Sequence, residues 1–167
     1  MSVIVVAGNP KPGSRTLSAA RRVAEALTGA APDAEVDVIG LGPGLLGWGD
    51  AAVAEAVAAV SQARLAVVAS PTFKATYTGV LKLFLDQFGT GTGLRGVVAV
   101  PLMLGAGPAH AMAPELLLKP VLVELGATCP APGLYLRDDA WADDPAVPEY
   151  AARWSPVLDA CTTAVLR

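Results

Sequence analysis

The sequence of 167 residues has only two cysteines, one histidine and three residues each of Trp, Tyr and Phe. Cys129 and Cys161 are far apart and match no metal-binding spacing, so we expect neither a metal site nor a disulfide framework. Two isolated thiols are typical of a protein kept in a reducing compartment. His110 has no clustered Cys or carboxylate beside it, and we interpret it as an interface or supporting residue.

Charge is also sparse, with 12 basic and 15 acidic side chains and a net charge of −3, which gives no reason to expect a nucleic-acid partner. Hydrophobic residues make up 53% of the chain. The longest uncharged stretch, residues 96–114, is nevertheless interrupted by Pro101, Pro108, Gly105 and Gly107, which indicates strand, loop and helix instead of a membrane span. The amino terminus shows no signal peptide pattern, so we expect a cytoplasmic protein.

Short apolar runs alternate with segments of helical periodicity along the whole chain. Strands are predicted at residues 2–7, 35–39, 64–69, 97–104 and 133–137. Helices are predicted from Thr16 to Gly29, from Asp50 to Gln62, at 79–88, from His110 to Leu125 and at 148–166. This alternation predicts a single α/β domain over residues 1–167, with a doubly wound five-stranded parallel sheet in the flavodoxin-like order 2-1-3-4-5. Ligands then bind at the carboxyl edge, where the strand order reverses between the first and third strands.

The fourth helix contains a proline, Pro120, which lacks the N–H that would bond to Leu116. Prolines inside helices usually coincide with kinks or with a wider turn. We therefore expect a kink or π-type bulge around residues 116–119.

The loop at residues 8–16, here called the first loop, has the glycine spacing of a Walker A motif. Ser14 and Arg15 stand where that motif needs Lys and Ser/Thr, so nucleoside triphosphate binding is excluded. What remains is a helix start with Ser14, Arg15 and Thr16, with Lys11 as a further candidate, and such a helix start binds a phosphate monoester well. The alternative is an ordinary N-cap at Ser14 or Thr16.

The second loop follows the third strand, which we expect Pro71 to end because it has no N–H. Pro71, Thr72, Phe73 and Lys74 offer a hydroxyl, an aromatic ring and a cation beside backbone N–H groups. This combination suits a planar, electron-poor ring that carries negative charge when reduced. The alternative is that Phe73 and Tyr77 are core or interface aromatics and that Lys74 is a solvated loop charge.

The third loop, Gly105-Ala106-Gly107, follows the fourth strand, and its glycines allow backbone to approach a flat ligand closely. A different segment, from Gly91 to Gly96, matches the dinucleotide fingerprint letter for letter. It precedes a strand instead of following one, so no helix N-terminus stands behind it. We interpret it as a flexible hairpin near the site and not as a nucleotide-binding motif.

Residues 70–86, Ser-Pro-Thr-Phe-Lys-Ala-Thr-Tyr-Thr-Gly-Val-Leu-Lys-Leu-Phe-Leu-Asp, closely resemble the second flavin loop of the NADPH-dependent FMN reductases. The resemblance is to the branch that supplies reduced flavin to sulfonate monooxygenases. Ser14-Arg15-Thr16 also matches the family's first loop, whereas Asn9 departs from its serine and the third loop is looser than its Thr-Gly-Gly-Ser. The FMN site that this implies comprises Asn9, Lys11, Ser14, Arg15, Thr16, Pro71, Thr72, Phe73, Lys74, Gly105, Ala106 and Gly107.

The resemblance implies an enzyme that passes hydride from NADPH or NADH to FMN and is a candidate supplier of reduced FMN to a partner monooxygenase. No catalytic side chain is expected, because the hydride chemistry belongs to the flavin. The pyridine nucleotide must bind transiently over the flavin, with Arg15 as a candidate for its phosphates. An FMN-containing quinone, azo or chromate reductase, or a non-catalytic flavodoxin-like electron carrier, remains the alternative.

The helix that follows the second loop suggests self-association. Leu83 lies between Lys82 and Asp86 on the face opposite the apolar stripe, and an apolar residue framed by opposite charges suits a two-fold contact. The family resemblance also points to dimers that complete the flavin site. We therefore expect a homodimer or homotetramer, with a solvated ion pair as the alternative.

Overall fold

Runs rich in Val, Ala and Leu form a five-stranded parallel sheet in the computed structural model, which describes residues 2–164. The strands are β1 (Val3–Ala7), β2 (Ala34–Asp37), β3 (Leu65–Pro71), β4 (Val98–Gly105) and β5 (Leu134–Arg137). Their spatial order is β2-β1-β3-β4-β5, which confirms the predicted order. Because all five run parallel, their carboxyl ends meet at one edge of the sheet.

Helical segments connect the strands. They are α1 (Arg15–Thr28), a 3-10 segment (Val38–Leu46), α2 (Ala51–Ser61), α3 (Gly79–Leu85), a 3-10 turn (Pro108–His110), a π-helix (Pro114–Leu118), α4 (Lys119–Glu124) and α5 (Ala146–Ala164). The predicted ends of the first two helices are confirmed, since Gly29 terminates α1 in the left-handed region and Asp50 caps α2. The last helix begins two residues earlier than predicted, and its predicted end at Leu166 lies outside the described residues.

The sheet is covered on both faces by separate apolar clusters. α1 and α5 pack on one face, with Leu17, Val23 and Leu158 in that cluster. The segments α2, α3 and α4 pack on the other face, where Phe84 and Leu122 are fully buried. Central strands that are apolar throughout require this cover, because a parallel sheet with one bare face would expose half of its side chains. No helix within residues 2–164 is long and apolar enough to cross a membrane.

Strand β2 ends two residues before its predicted end at Ile39. Its ladder with β1 runs from Ile4 paired with Ala34 to Ala7 paired with Asp37. β1 ends there, so no neighbouring backbone remains to bond the next residues. The chain instead turns into the 3-10 segment and buries Val38 completely in the core.

Pro71 does not end the third strand's hydrogen bonding, which continues past it. Ser70 and Pro71 pair in register with β4, and the N–H of Thr72 donates to the Leu104 carbonyl at 2.6 Å. In a strand, the backbone N–H and C=O groups of successive residues point alternately toward the two neighbouring strands. The carbonyl of Ala69, two residues before Pro71, accepts the N–H of Gly8 on the β1 side. Pro71 therefore faces the side where β1 has already ended, and its missing N–H leaves no acceptor unpaired.

The prolines around the fourth helix produce the predicted irregularity. Pro114–Leu118 forms a π-helix in which the N–H of Lys119 bonds to the Pro114 carbonyl, five residues back. α4 begins at Lys119, so Pro120 lies in its first turn, where a missing N–H is tolerated. The π-type bulge is confirmed, although it starts two residues earlier than expected.

The Gly91 to Gly96 segment lies at the opposite end of the sheet from the site, so the expectation that it lies near the site is wrong. It directly precedes β4, whose first residue Val98 pairs with the first residue of β3. The N–H groups of Gly91 and Leu94 bond to the carbonyls of Glu124 and Leu125 at the end of α4. The segment therefore joins α4 to the amino edge of the sheet.

Candidate functional site

The first loop is tied to the sheet and to the second loop by close backbone packing. Gly8 donates to the Ala69 carbonyl at 2.9 Å, and the Thr78 hydroxyl donates to the Gly8 carbonyl. A side chain at Gly8 would lie 2.2 Å from the Leu81 β-carbon, so only glycine lets α3 approach this closely. The start of α3 thereby fixes the position of the first loop.

The side chain of Asn9 organises the loop from inside. Its Nδ2 donates to the Thr16 hydroxyl at 2.9 Å, and its Oδ1 accepts from the Lys11 N–H at 2.9 Å. Gly13 turns the chain at φ +58°, and its N–H donates to Asp37 Oδ2 at 2.8 Å. The Gly13 amide is therefore already bonded, so donors for a bound anion would have to come from the helix start that follows.

Ser14 and Thr16 are almost fully buried at that helix start, with 3% and 1% of their surface exposed. Ser14 caps α1 by accepting the Leu17 N–H at 3.3 Å, while Thr16 accepts from Asn9. Within residues 2–164 neither hydroxyl donates a hydrogen bond, so each keeps its proton for an external acceptor. The first-turn amides of Arg15 and Thr16 have no partner within the helix. The expected N-cap at Ser14 is thus confirmed, and it leaves donors that an anion could use at the same helix start.

The second loop is a tight turn held by its own backbone. Phe73 and Thr76 exchange two hydrogen bonds at 2.9 and 3.2 Å around Lys74 and Ala75, which have φ values of +51° and +71°. Residues other than glycine rarely adopt such values, so the turn stores strain beside the candidate site. The Ser70 hydroxyl accepts the Thr78 N–H at 3.0 Å and orients the rest of the loop.

The third loop lies against the second loop at the end of β4. The Tyr135 hydroxyl donates to the Gly107 carbonyl at 2.6 Å, and a β-carbon at Gly105 would lie 2.1 Å from that hydroxyl oxygen. The Thr72 hydroxyl oxygen faces this place and is buried without a hydrogen-bond partner among the described residues. An unbonded buried hydroxyl beside accessible backbone groups fits a polar ligand edge.

Two adjoining cavities bring the three loops together. The first has a volume of about 470 Å³ and is lined by Asn9, Pro10, Lys11, Gly13, Ser14, Arg15, Thr16, Pro71, Phe73, Leu104 and Asp138. The second has about 580 Å³ and is lined by Thr72, Gly105, Ala106, Gly107, Pro108, Ala109 and His110. Of the twelve predicted residues, only Lys74 lines neither cavity; it stands at the tip of the second-loop turn.

Asp138, at the end of β5, is the main charged residue of the first cavity that sequence reasoning missed. Its carbonyl accepts from Arg15 Nη1 at 2.9 Å, and its carboxylate lies 3.9 Å from Arg15 Nη2. The next residue, Asp139, pairs instead with Arg137 at 2.6 and 3.1 Å, and this hydrogen bond lowers the pKa of the exposed Asp139 carboxyl. Arg15 is thus held between the start of α1 and an acidic loop.

The arrangement suits an organic phosphate joined to a flat ring, and it does not suit a metal. Within residues 2–164 no group of three His, Cys, Asp or Glu side chains could hold a metal ion. The buried hydroxyls and the cations line the first cavity together with Phe73, which is half exposed, and the third loop lines the second cavity. Fold and site together define a flavodoxin-like α/β protein with a helix start that is suited to a phosphate.

Comparison with known proteins extends this class to a family. Residues 1–142 match the family model of the NADPH-dependent FMN reductases. The chain is 32% identical over 165 residues to an FMN reductase (NADPH) of Escherichia coli, covering 95% of this chain and 85% of that protein. The chain therefore belongs to the NADPH-dependent FMN reductase family.

Solved structures agree with this assignment. The apo form of an NADH:FMN oxidoreductase superposes with a TM-score of 0.80 at 29% identity, covering 98% of this chain and 89% of its own. An oxidoreductase from Corynebacterium diphtheriae gives a TM-score of 0.79 at 23% identity, covering 99% of this chain and 97% of its own, and supports the fold. The predicted family and fold class are confirmed.

Proposed function

We propose that this oxidoreductase transfers hydride from NADPH or NADH to FMN bound at the carboxyl edge of the sheet. The observation that carries the proposal is the helix start at Ser14 and Thr16, where two buried hydroxyls and two free amides face one cavity. A phosphate monoester accepts from all four groups, and Arg15 and Lys11 neutralise part of its charge.

FMN, when bound, supplies the ring that accepts hydride, and the protein supplies binding and orientation. Phe73 offers an aromatic face, and the buried Thr72 hydroxyl offers a hydrogen-bond partner to a polar ring edge. The glycines of the third loop let backbone N–H groups reach the same edge. The cavity remains open to solvent, which leaves room for a pyridine nucleotide to approach the ring.

An anaerobic turnover experiment tests this function. The protein is mixed with NADPH or with NADH, with and without added FMN, while nicotinamide and flavin absorbances are followed together. We expect an equimolar loss of the two signals that depends on the protein and on FMN. The function is wrong if the nucleotide is oxidised only when a quinone, azo dye or chromate is added, or not at all.

We propose further that the reduced FMN leaves the enzyme for a flavin-dependent monooxygenase. The family resemblance supports this hand-over, and so does a site formed by surface loops. Rapid ultrafiltration after anaerobic reduction tests it, because released reduced FMN passes the membrane and tightly held flavin does not.

The free thiols Cys129 and Cys161 support a cytoplasmic location, which cell fractionation can check.

We propose also that two copies associate through α3. Leu83 is 37% exposed, and Lys82 and Asp86 pair beside it within the chain. Leu83→Glu should therefore reduce the mass measured by light scattering from dimer or tetramer to monomer. Val157, 38% exposed on α5, gives a matched control in Val157→Glu, which should keep the oligomer. A monomeric wild type at micromolar concentration would contradict this association.

A further inference from the structure

The carboxylate of Asp138 is placed to oppose anion binding at the first cavity. It lies on the cavity wall with the phosphate-binding residues, and its side chain is 38% exposed. The N–H of Asp138 bonds to the Gly105 carbonyl at 3.0 Å, so the backbone that carries this charge is fixed to the sheet. The position of the Asp138 backbone is therefore set by the fold and not by the pairing of its carboxylate.

Asp138 and its neighbour Asp139 differ in how their carboxylates are paired. Asp139 has its own cation, since both of its oxygens bond to Arg137. Within residues 2–164 the Asp138 carboxylate has only a long contact with Arg15, 3.9 Å from Nη2, while Nη1 of Arg15 bonds the Asp138 carbonyl at 2.9 Å. The guanidinium of Arg15, the first residue of α1, is thus bonded to Asp138. Any phosphate that binds at the α1 start must share this guanidinium with Asp138.

We propose that Asp138 is a specificity-determining residue that lowers the affinity for phosphorylated flavin by competing with the phosphate for Arg15. This inference rests on the proposed binding of FMN at the α1 start. The carboxylate draws the guanidinium toward β5, and a phosphate at the α1 start draws it the opposite way. The result is an FMN site of restrained affinity, which suits a flavin that is exchanged.

The test is Asp138→Asn, which keeps the size of the side chain and the main-chain hydrogen bonds of the residue but removes the charge. Exposed ion pairs contribute up to about 1 kcal/mol, so we expect FMN to bind about three- to fivefold more tightly in a fluorescence titration. Riboflavin has no phosphate, and its affinity should stay unchanged. The matched control is Asp139→Asn, which makes the same change in net charge one residue away and should leave both affinities as in the wild type.

A double-mutant cycle decides whether Arg15 carries the effect. In an Arg15→Gln background, Asp138→Asn should alter FMN affinity by less than about twofold, because there is no guanidinium left to release. An effect of undiminished size in that background overturns the competition, and so does an equal gain for riboflavin.

Failure of the inference can be told apart from failure of the proposed site. Ser14→Asp serves as the reference, because it places a charge directly at the α1 start. If Ser14→Asp abolishes FMN binding but Asp138→Asn binds FMN like the wild type, the role of Asp138 is refuted and the site stands. If neither change affects FMN affinity, FMN binds elsewhere and both are refuted.

Discussion

Replacing Ser14 by Asp should separate the two roles of this residue, because they respond with opposite sign. Ser14 caps α1 through its 3.3 Å bond to the Leu17 N–H, and aspartate is as good an N-cap as serine. A negative charge also interacts favourably with a helix N-terminus. We therefore expect the free energy of unfolding to stay unchanged or to rise by about 0.5 kcal/mol.

The effect on FMN should be large and unfavourable. The substitution removes a buried hydroxyl donor and puts a carboxylate where the phosphate would bind. Two unit charges about 4 Å apart repel by about 4 kcal/mol at an effective dielectric constant of about 20. Allowing for solvent at the open side of the cavity, we expect FMN affinity to fall at least about a hundredfold, or about 2.7 kcal/mol. Riboflavin should be affected by less than about twofold.

The assay is a fluorescence titration with FMN and with riboflavin, paired with thermal unfolding of the same samples. Ser14→Gly is the matched control, since it removes the donor without adding charge and costs the cap only a few tenths of a kcal/mol. It should weaken FMN binding by about tenfold. Wild-type FMN affinity in a folded Ser14→Asp protein would refute the assignment of the phosphate to the α1 start.

Two further substitutions, each with a matched control, test the backbone of the other loops. Gly105→Ala should destabilise the protein by about 1–3 kcal/mol in chemical denaturation, because its β-carbon would lie 2.1 Å from the Tyr135 hydroxyl oxygen. Gly107→Ala, with open space around the new atom, should cost less than about 0.5 kcal/mol, and equal costs would contradict the packing. Ala75→Gly should raise stability by about 1 kcal/mol by relieving the φ of +71°. Ala30→Gly, at an exposed loop residue of negative φ, should not stabilise, and a similar gain there would contradict the relief of strain.

Most of the fold could be predicted from sequence because its signals are local. The strands read as short apolar runs, and Gly29 and Asp50 mark helix ends through their own conformational and capping preferences. The end of β2 could not be predicted this way. It depends on where the neighbouring β1 ends, at Ala7, and pairing partners are not visible in a single stretch of sequence.

The site was predictable where it depended on one loop at a time. Ser14 and Thr16 could be proposed as site residues because a helix start carries its own residue pattern. Asp138 was missed because it comes from the far end of the chain and meets Arg15 only through the sheet order. A usable signal existed, since a residue directly after the fifth strand must lie at the same carboxyl edge as the first loop.

The misplacement of Gly91 to Gly96 has the same origin. Its letters match a nucleotide fingerprint, and its position before a strand correctly excluded that function. The rule that excludes the function also gives the location, because a loop before a parallel strand lies at the amino edge. Whether a loop precedes or follows its strand is therefore more informative about its location and function than its match to a sequence motif.

A crystal structure of the FMN complex tests the central claim most directly. We expect the phosphate at the hydroxyls of Ser14 and Thr16 and the first-turn amides of α1, with the ring beside Phe73 and the third loop. In that complex the guanidinium of Arg15 should have moved from the Asp138 carboxylate toward the phosphate. FMN bound at any other surface, or a phosphate with no contact to the α1 start, would contradict the account.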